Sequence, residues 1–198
     1  MPRLLLATNN RGKLREYHSL LGDFGYELVS PGELGITTEV AETGSTMAEN
    51  AILKATTLSK ESNLLTLADD SGLEVDALNG KPGVLSARYA GEGASQEDLI
   101  NHLLSKLKDL PKEKRSARFR CVIAIATPDG KVQTCSGECP GFVTFKASGR
   151  HGFGYDPIFY LPQLKKTMAQ LTMSEKNRIS HRASAVVRAK ELLKSITG

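Results

Sequence analysis

The sequence predicts an α/β protein with a mixed central sheet, flanked by helices and bent into two lobes with a cleft between them. Apolar residues recur at helical spacing near both ends of the chain, from Leu14 to Leu21 and from Ala183 to Leu193. In the middle, two strand-like runs flank Pro128-Asp129-Gly130, a pattern that is typical of a β-hairpin. Helices at both ends and an antiparallel middle together predict a mixed sheet covered by helices.

The composition is that of a globular protein. The chain has 198 residues, 40% of them hydrophobic and 24% charged, which suffices to bury a core in a single domain over residues 1–198. No apolar run approaches the roughly 20 residues that a membrane-spanning helix needs, and no signal-peptide pattern is present, which predicts a cytoplasmic protein without membrane association. The three cysteines lack C-x-x-C spacing, so neither a disulfide framework nor a zinc knuckle is expected.

The charge of the chain favours small anionic partners. The formal net charge is +4 at pH 7, and the sequence has no basic tail and no sustained run of lysine and arginine. Nucleotides fit this distribution better than long nucleic acid, so no stable nucleic-acid complex is expected.

The first part of the chain predicts alternating strands and helices. Residues 3 to 8 have the pattern of a buried strand, and a second strand is expected at residues 26 to 29. Thr46 is placed to cap a helix with an apolar stripe. Asn50 and Lys54 flank that stripe, so both side chains are expected to reach toward the cleft.

The later elements are a helix, several short strands and a final helix. Ser95 and Asp98 predict a variant of the capping box at the start of the middle helix, and Ser180 is placed to open the last one. Strands are expected at residues 117 to 127, 131 to 139, 142 to 145 and 158 to 160.

Two adjacent carboxylates, Asp69 and Asp70, follow a short apolar run at residues 64 to 67, and Ser71-Gly72 after them predicts the end of that strand. Neighbouring acids repel each other and lose hydration unless a cation or hydrogen bonds compensate them. The pair is therefore a candidate Mg²⁺ site. The alternative is that Asp69 faces away, because successive strand residues point to opposite faces, and that Asp70 caps the turn.

A second candidate site joins the first strand to the first helix, in the loop Thr8-Asn9-Asn10-Arg11-Gly12-Lys13. A hydroxyl, two amides, a glycine and a lysine lie there beside the free N–H groups of a helix start, and such groups bind phosphate. The Walker A pattern is absent. The alternative is that Asn9 or Asn10 caps the helix while Arg11 and Lys13 remain in solvent.

Cations at helix starts point to the same chemistry. Arg11 and Lys13 open the first helix, and His181 and Arg182 open the last, although helix N-termini favour acids. A bound polyanion would reverse that cost. We therefore expect both helix starts to face one anion site, with Lys176 and Arg178 nearby in the sequence.

The loop from Gly149 to Pro157 combines glycines with two aromatic residues, Phe153 and Tyr155. Glycines let backbone groups approach a ligand closely, and an aromatic ring can stack on a nucleobase. The alternative is a glycine-rich connection whose two aromatic side chains fill the core.

Taken together, these segments resemble the inosine triphosphate pyrophosphatase family, the non-canonical purine nucleoside triphosphate pyrophosphatases of the dITP/XTP type. The resemblance covers almost the whole chain, through Leu6 to Lys13, Glu42-Thr43-Gly44, Glu49-Asn50-Ala51, Ala68 to Leu73, Pro82-Gly83, Ser86 to Tyr89, Gly152 to Pro157 and Ile179 to Arg182.

The resemblance implies hydrolysis between the α and β phosphates with Mg²⁺, which removes abnormal purines from the nucleotide pool, and it suggests a homodimer. It assigns the general base and a metal ligand to Asp70, and the second metal ligand to Glu42, with Glu39 as competitor. The implied substrate contacts are Thr8, Asn9, Asn10, Arg11, Gly12, Lys13, Ser71, Phe153, Gly154, Tyr155, Asp156, Lys176, His181 and Arg182. The family commonly has Thr-Gly-Asn where this chain has Thr8-Asn9-Asn10.

Two other functions fit parts of the sequence. One is a pyrophosphatase of the Maf-like group acting on modified pyrimidine or other nucleotides, and the segments Phe153 to Asp156 and His181-Arg182 argue against it. The other is a noncatalytic protein that binds nucleotides or RNA, which would bind dITP without releasing pyrophosphate.

Overall fold

The computed structural model describes residues 1–197, in which seven strands and five α-helices are present. The strands are β1 (Arg3–Leu6), β2 (Glu27–Val29), β3 (Leu65–Val75), β4 (Ser116–Ala126), β5 (Val132–Val143), β6 (Phe159–Leu161) and β7 (Lys166–Thr167). The helices are α1 (Arg11–Leu21), α2 (Met47–Ser62), α3 (Gln96–Lys106), α4 (Met173–Ile179) and α5 (His181–Thr197).

The strands form one mixed sheet in the order β2-β1-β3-β4-β5-β6-β7. Strand β1 runs parallel to β2 and β3, with Leu4 opposite Leu65, whereas β5, β6 and β7 pair antiparallel. The predicted mixed sheet flanked by helices is confirmed. None of the helices within residues 1–197 combines the length and the apolar character that crossing a membrane requires.

The chain divides into two compact units, and β3 passes from one to the other at Asp70 and Ser71. Unit 1 comprises Met1–Asp70, Cys121–Gly137 and the chain from Arg182 onward, and its core includes Leu6, Tyr17, Leu67, Ile123 and Leu193. Unit 2 comprises Ser71–Arg120 and Glu138–His181, and its core includes Leu73, Leu103, Phe119, Phe159 and Met168. The single domain over residues 1–198 and the cleft stay predictions.

The helix starts follow the expected capping. The side chain of Thr46 accepts a hydrogen bond from the Glu49 amide at the start of α2. Ser95 and Asp98 form the reciprocal capping box of α3. Local sequence therefore decides where these helices begin.

Two strands differ in extent from the sequence-based expectation. Strand β3 does not end at Ser71-Gly72 but continues to Val75, because Leu73 and Val75 are both fully buried in the core of unit 2. The expected separate strand at residues 142 to 145 is instead the end of β5. Gly141 does not break β5, since its missing side chain makes room for the Phe159 ring, 2.6 Å from an ideal Cβ.

Helix α4 was not expected, although its start carries a recognisable signal. Thr172 and Glu175 form a capping box there, and the helix has seven residues. Helix α5 then begins at His181, directly after Ser180, as the sequence predicts.

Candidate active site

Asp69 is a buried, ionised carboxylate of unit 1 that pairs with two cationic side chains. Its Oδ2 lies 3.0 Å from Lys13 Nζ and 3.3 Å from Nη2 of Arg182, and the Cys121 thiol lies 3.8 Å away. Burial alone would raise the pKa of Asp69, but the positive charges of Lys13, Arg182 and Lys54 outweigh it and hold the pKa well below its usual range. Asp69 therefore keeps its charge and holds the cations in place.

Asp70 lies in a different environment, although it is the next residue on β3. Its Oδ2 accepts a hydrogen bond of 3.1 Å from the side-chain amide of Asn50. Burial raises the pKa of Asp70, and the negative charge of Glu42 raises it further, against the opposing effects of Lys54 and Asn50. A carboxylate with a raised pKa is a better proton acceptor, which is what a general base requires.

Helix α2 presents Asn50 and Lys54, one helical turn apart, to carboxylates. The Asn50 Oδ1 accepts a hydrogen bond of 2.7 Å from the Gly44 amide, which fixes the orientation of the amide that donates to Asp70. A Cβ at Gly44 would come within 2.6 Å of that oxygen, so a glycine is required there. Lys54 Nζ lies 2.6 Å from Oε1 of Glu42. Both residues, which the resemblance did not assign to the site, therefore contact predicted metal ligands.

The oxygen donors around Asp70 fit a hard divalent cation. Glu42 is close enough to Asp70 to raise its pKa, so the two carboxylates repel each other, and a cation would relieve that repulsion. No group of three or more histidine, cysteine, aspartate or glutamate residues suited to a metal occurs in the described part of the chain. Mg²⁺ commonly takes one or two carboxylates together with water and substrate phosphates, so two protein ligands suffice. Glu39 is exposed, which favours Glu42 as the partner of Asp70.

The loop from Thr8 to Lys13 is a capped helix start with a fixed lysine. The Asn10 side chain accepts hydrogen bonds from the amides of Gly12 and Lys13, at 2.8 and 3.1 Å. The Asn10 cap of the alternative interpretation is therefore present, and Arg11 is exposed. Lys13, however, is not left in solvent, because its ammonium pairs with Asp69.

Arg182 at the start of α5 is neutralised by the protein itself. Its side chain is 1% exposed, and it forms ion pairs with Glu16 of α1 and with Asp69. These two acids offset the unfavourable interaction between the Arg182 charge and the helix dipole. The position of Arg182 is therefore no evidence for a bound polyanion. Sequence reasoning did not find Glu16, since its partner lies 166 residues away along the chain. The role of Arg182 as a base contact stays a prediction.

In unit 2, the glycine-rich loop is organised around Asp156. The buried Asp156 Oδ2 accepts hydrogen bonds from the Phe153 amide at 3.0 Å and from Lys176 Nζ at 2.5 Å. Lys176 Nζ also lies 4.9 Å from the centroid of the Phe153 ring. Gly152 has a φ of +76°, and a Cβ there would clash with the Asp156 carboxylate. The structure therefore brings together three of the predicted base contacts, Phe153, Asp156 and Lys176.

Of the other predicted contacts of unit 2, Tyr155 and His181 have buried side chains. Tyr155 donates a hydrogen bond of 2.9 Å from its hydroxyl to the Ser86 carbonyl. The His181 ring stacks on Phe119 with 4.9 Å between centroids. Gly154 has a φ of +59°, and Ser71, directly after Asp70, is half-buried. The Tyr155 side chain thus fills the core, as the alternative interpretation holds.

An α/β sheet, a carboxylate of raised pKa and a lysine held at a helix start define a protein suited to phosphate chemistry. The chain belongs to the Ham1 family, whose family model matches residues 4–192.

Relatives that are named as pyrophosphatases match nearly the whole length of this chain. A dITP/XTP pyrophosphatase of Desulforamulus reducens is 52% identical, covering 96% of this chain and 95% of that protein. A dITP/XTP pyrophosphatase of Bacillus subtilis is 46% identical and covers 98% of both chains.

Solved structures agree with the fold. A HAM1 protein from Coxiella burnetii is 41% identical, with a TM-score of 0.89, and covers 98% of this chain and 100% of its own. The Ham1 protein of Staphylococcus aureus is 44% identical, with a TM-score of 0.86, and covers 98% of both chains.

Proposed function

We propose that this chain hydrolyses non-canonical purine nucleoside triphosphates, namely dITP or ITP and XTP or dXTP, to the monophosphate and pyrophosphate. The observation that carries the proposal is the pairing of two adjacent aspartates in opposite environments, Asp69 bound to Lys13 and Asp70 bound to Asn50. One is held as an anion and the other is poised to accept a proton. The names of the relatives at 46% and 52% identity support the same activity.

Asp70 acts as the general base. Its raised pKa favours removal of a proton from the water that attacks the α-phosphorus, and the hydrogen bond from Asn50 orients the carboxylate. Lys54 keeps Glu42 in place, and its positive charge opposes the rise of the Asp70 pKa that burial causes.

Glu42 and Asp70 hold Mg²⁺ in this proposal. When bound, the cation offsets the negative charge on the phosphoryl oxygens and helps to position the triphosphate. The repulsion between the two carboxylates and their oxygen chemistry support this assignment.

The loop from Thr8 to Lys13 binds the triphosphate. Lys13 neutralises the charge that develops on the pyrophosphate leaving group, and its salt bridge with Asp69 holds its ammonium in one position beforehand. Ser71, which follows Asp70 on β3, is the serine that contacts the substrate in this proposal.

The nucleobase is recognised by residues 153 to 156 together with Lys176, His181 and Arg182. Hypoxanthine and xanthine carry an oxygen at position 6, where adenine carries an amino group. Backbone N–H groups and cationic donors pair with that oxygen, and adenine would leave a donor without a partner. The Phe153 ring, half-buried beside Lys176, is the side chain suited to stacking on the base.

In this proposal the enzyme is one catalytic domain over residues 1–198 that functions in the cytoplasm as a homodimer. The charge distribution, without a basic tail, supports nucleotides rather than nucleic acid as its partners.

Pyrophosphate release from dITP, XTP, ATP, GTP and dTTP tests the substrate class. We expect dITP and XTP to be turned over preferentially, and Asp70→Asn to lower turnover by about 10²- to 10⁴-fold. Preferential turnover of dTTP would instead indicate a Maf-like pyrophosphatase. Binding of dITP in Mg²⁺ without release of pyrophosphate, or a salt-dependent RNA affinity above that for nucleotides, would indicate a binding protein.

A further inference from the structure

Ser86 connects two predicted parts of the active site through its hydrogen bonds. It lies in a 3-10 helix, Gly83–Arg88, and is buried. The Leu73 amide donates to Ser86 Oγ at 2.9 Å, and the Ser86 hydroxyl donates to the Gly83 carbonyl at 2.7 Å. The Tyr155 hydroxyl donates to the Ser86 carbonyl at 2.9 Å. A single residue therefore bonds to β3 and to the glycine-rich loop.

Both ends of this connection are close in sequence to functional residues. Leu73 is two residues from Ser71 and three from Asp70 on the same continuous strand. Tyr155 directly precedes Asp156, which bonds to the Phe153 amide and to Lys176. Two hydrogen bonds through Ser86 therefore join the Tyr155 side chain to β3 at Leu73.

Because both hydrogen bonds are buried, losing either of them would be energetically costly. Leu73 is fully buried, and its amide would lose its partner if the Ser86 hydroxyl moved, which costs more than an exposed bond would. Tyr155 is 3% exposed, and burial together with the nearby Tyr89 raises the pKa of its phenol, so the hydroxyl stays protonated and serves as a donor. This hydroxyl is directed at Ser86 rather than at a ligand.

We propose that Ser86 and the Tyr155 hydroxyl are positioning residues that couple binding of the nucleobase to the placement of Asp70. A 6-oxopurine bound against residues 153 to 156 keeps the Tyr155 hydroxyl on the Ser86 carbonyl, and Ser86 Oγ keeps the Leu73 amide of β3 in place. The correct base thereby improves the alignment of the general base, so part of the specificity is expressed in kcat rather than in binding. This inference rests on the proposed pyrophosphatase function.

The test compares Tyr155→Phe, Ser86→Ala and the double variant with Tyr160→Phe. Tyr160 is a half-buried tyrosine of β6 in the same unit, and its replacement controls for the loss of a phenolic hydroxyl. For each variant, kcat and KM are measured with dITP and with dATP, inhibition is measured with inorganic tripolyphosphate, and Tm is recorded.

We expect Tyr155→Phe to lower kcat for dITP by about tenfold, the equivalent of one buried hydrogen bond, with KM changed less. The ratio of kcat/KM for dITP over dATP falls, whereas inhibition by tripolyphosphate, which has no base, is unchanged. Ser86→Ala gives a similar loss, and the double variant is no worse than the more impaired single variant, because both changes interrupt one connection.

Two results would overturn the coupling. One is a Tyr155→Phe enzyme whose kcat and base discrimination equal those of Tyr160→Phe, even if its Tm is lower. The other is full additivity in the double variant. If Ser86→Ala does not fold, the comparison of the two tyrosine variants decides alone. A wild-type chain that neither releases pyrophosphate from dITP nor binds dIMP refutes the proposed function itself, and the coupling with it.

Discussion

Asp69 and Asp70 are consecutive residues of β3, yet their carboxylates are held in opposite electrostatic environments. Asp69 Oδ2 lies within 3.3 Å of two cations, Lys13 and Arg182, which lower its pKa against the effect of burial. Asp70 bonds instead to the neutral amide of Asn50, and burial raises its pKa. Because adjacent strand residues point to opposite faces, one strand supplies a fixed anion and a proton acceptor without requiring any turn.

Removing the charge of Asp69 is expected to destabilise the fold. Asp69→Asn leaves the half-buried Lys13 and the buried Arg182 without their shared carboxylate, and breaking a buried ion pair on one side typically costs about 3–5 kcal/mol. Urea unfolding monitored by circular dichroism measures the loss. Asp70→Asn is the matched control at the adjacent position, and equal losses in the two variants would contradict the separate roles.

Asp70→Asn is expected to stabilise the metal-free protein at neutral pH. The pKa of Asp70 is raised in the folded state, so the native protein binds this proton more tightly than the unfolded chain does. The stabilisation from the protonated form is complete below the unfolded pKa and is lost as pH rises through the folded pKa.

The ionised form of Asp70 therefore opposes folding, and the asparagine relieves that cost, raising Tm by roughly 2–4 °C for each kcal/mol gained. Thermal unfolding with a chelator present should show a difference in Tm that shrinks as the pH falls toward 4. If Asp70→Asn is less stable than the wild type at pH 7, the predicted stabilisation is wrong.

Glu42→Gln is expected to raise the Mg²⁺ concentration needed for half-maximal turnover by about tenfold or more, because loss of even a supporting group at a metal site costs 10- to 100-fold. Glu39→Gln is the matched control, since Glu39 is exposed and lies three residues away. Mg²⁺ titrations of pyrophosphate release measure the effect. A larger shift in the Glu39 variant would indicate that Glu39, and not Glu42, is the second metal ligand.

Arg115→Lys is expected to destabilise unit 2 although it conserves the charge. The buried guanidinium donates to three carbonyls, those of Leu107, Leu110 and Thr144, at 2.6, 3.1 and 2.9 Å. An ammonium does not reproduce this fork, so at least one buried carbonyl loses its donor, which costs about 1–3 kcal/mol.

Chemical unfolding compares this variant with Arg118→Lys. Arg118 is a partly exposed arginine of β4, three residues further along the chain, which pairs with Glu74, and its replacement is expected to cost under about 1 kcal/mol. If Arg115→Lys is as stable as the Arg118 variant, the three bonds contribute little to stability.

Local patterns in the sequence were sufficient for much of the fold. Thr46 and the pair Ser95 and Asp98 cap their helices as expected, because the groups that satisfy a helix start lie within three residues of it. Asn50 and Lys54 flank the apolar stripe of their helix, which predicted that both reach toward the site. In the structure both side chains contact carboxylates. The sequence predicts that the strand through Asp70 ends too early, because Ser71-Gly72 has the local composition of a turn, whereas β3 continues to Val75.

The α/β class, the capped helices and the aspartate pair as a candidate metal site follow from the amino-acid sequence alone, since each depends on residues near one another along the chain. The resemblance assigned the base to Asp70, and the tertiary structure supplies the environments in which the two carboxylates differ. Arg182 reaches Asp69 across 113 positions of the chain, and Asn50 reaches Asp70 across 20. Electrostatic environment depends on distance in space, so the opposite shifts of two neighbouring carboxylates arise only once the folded chain has brought these partners to them.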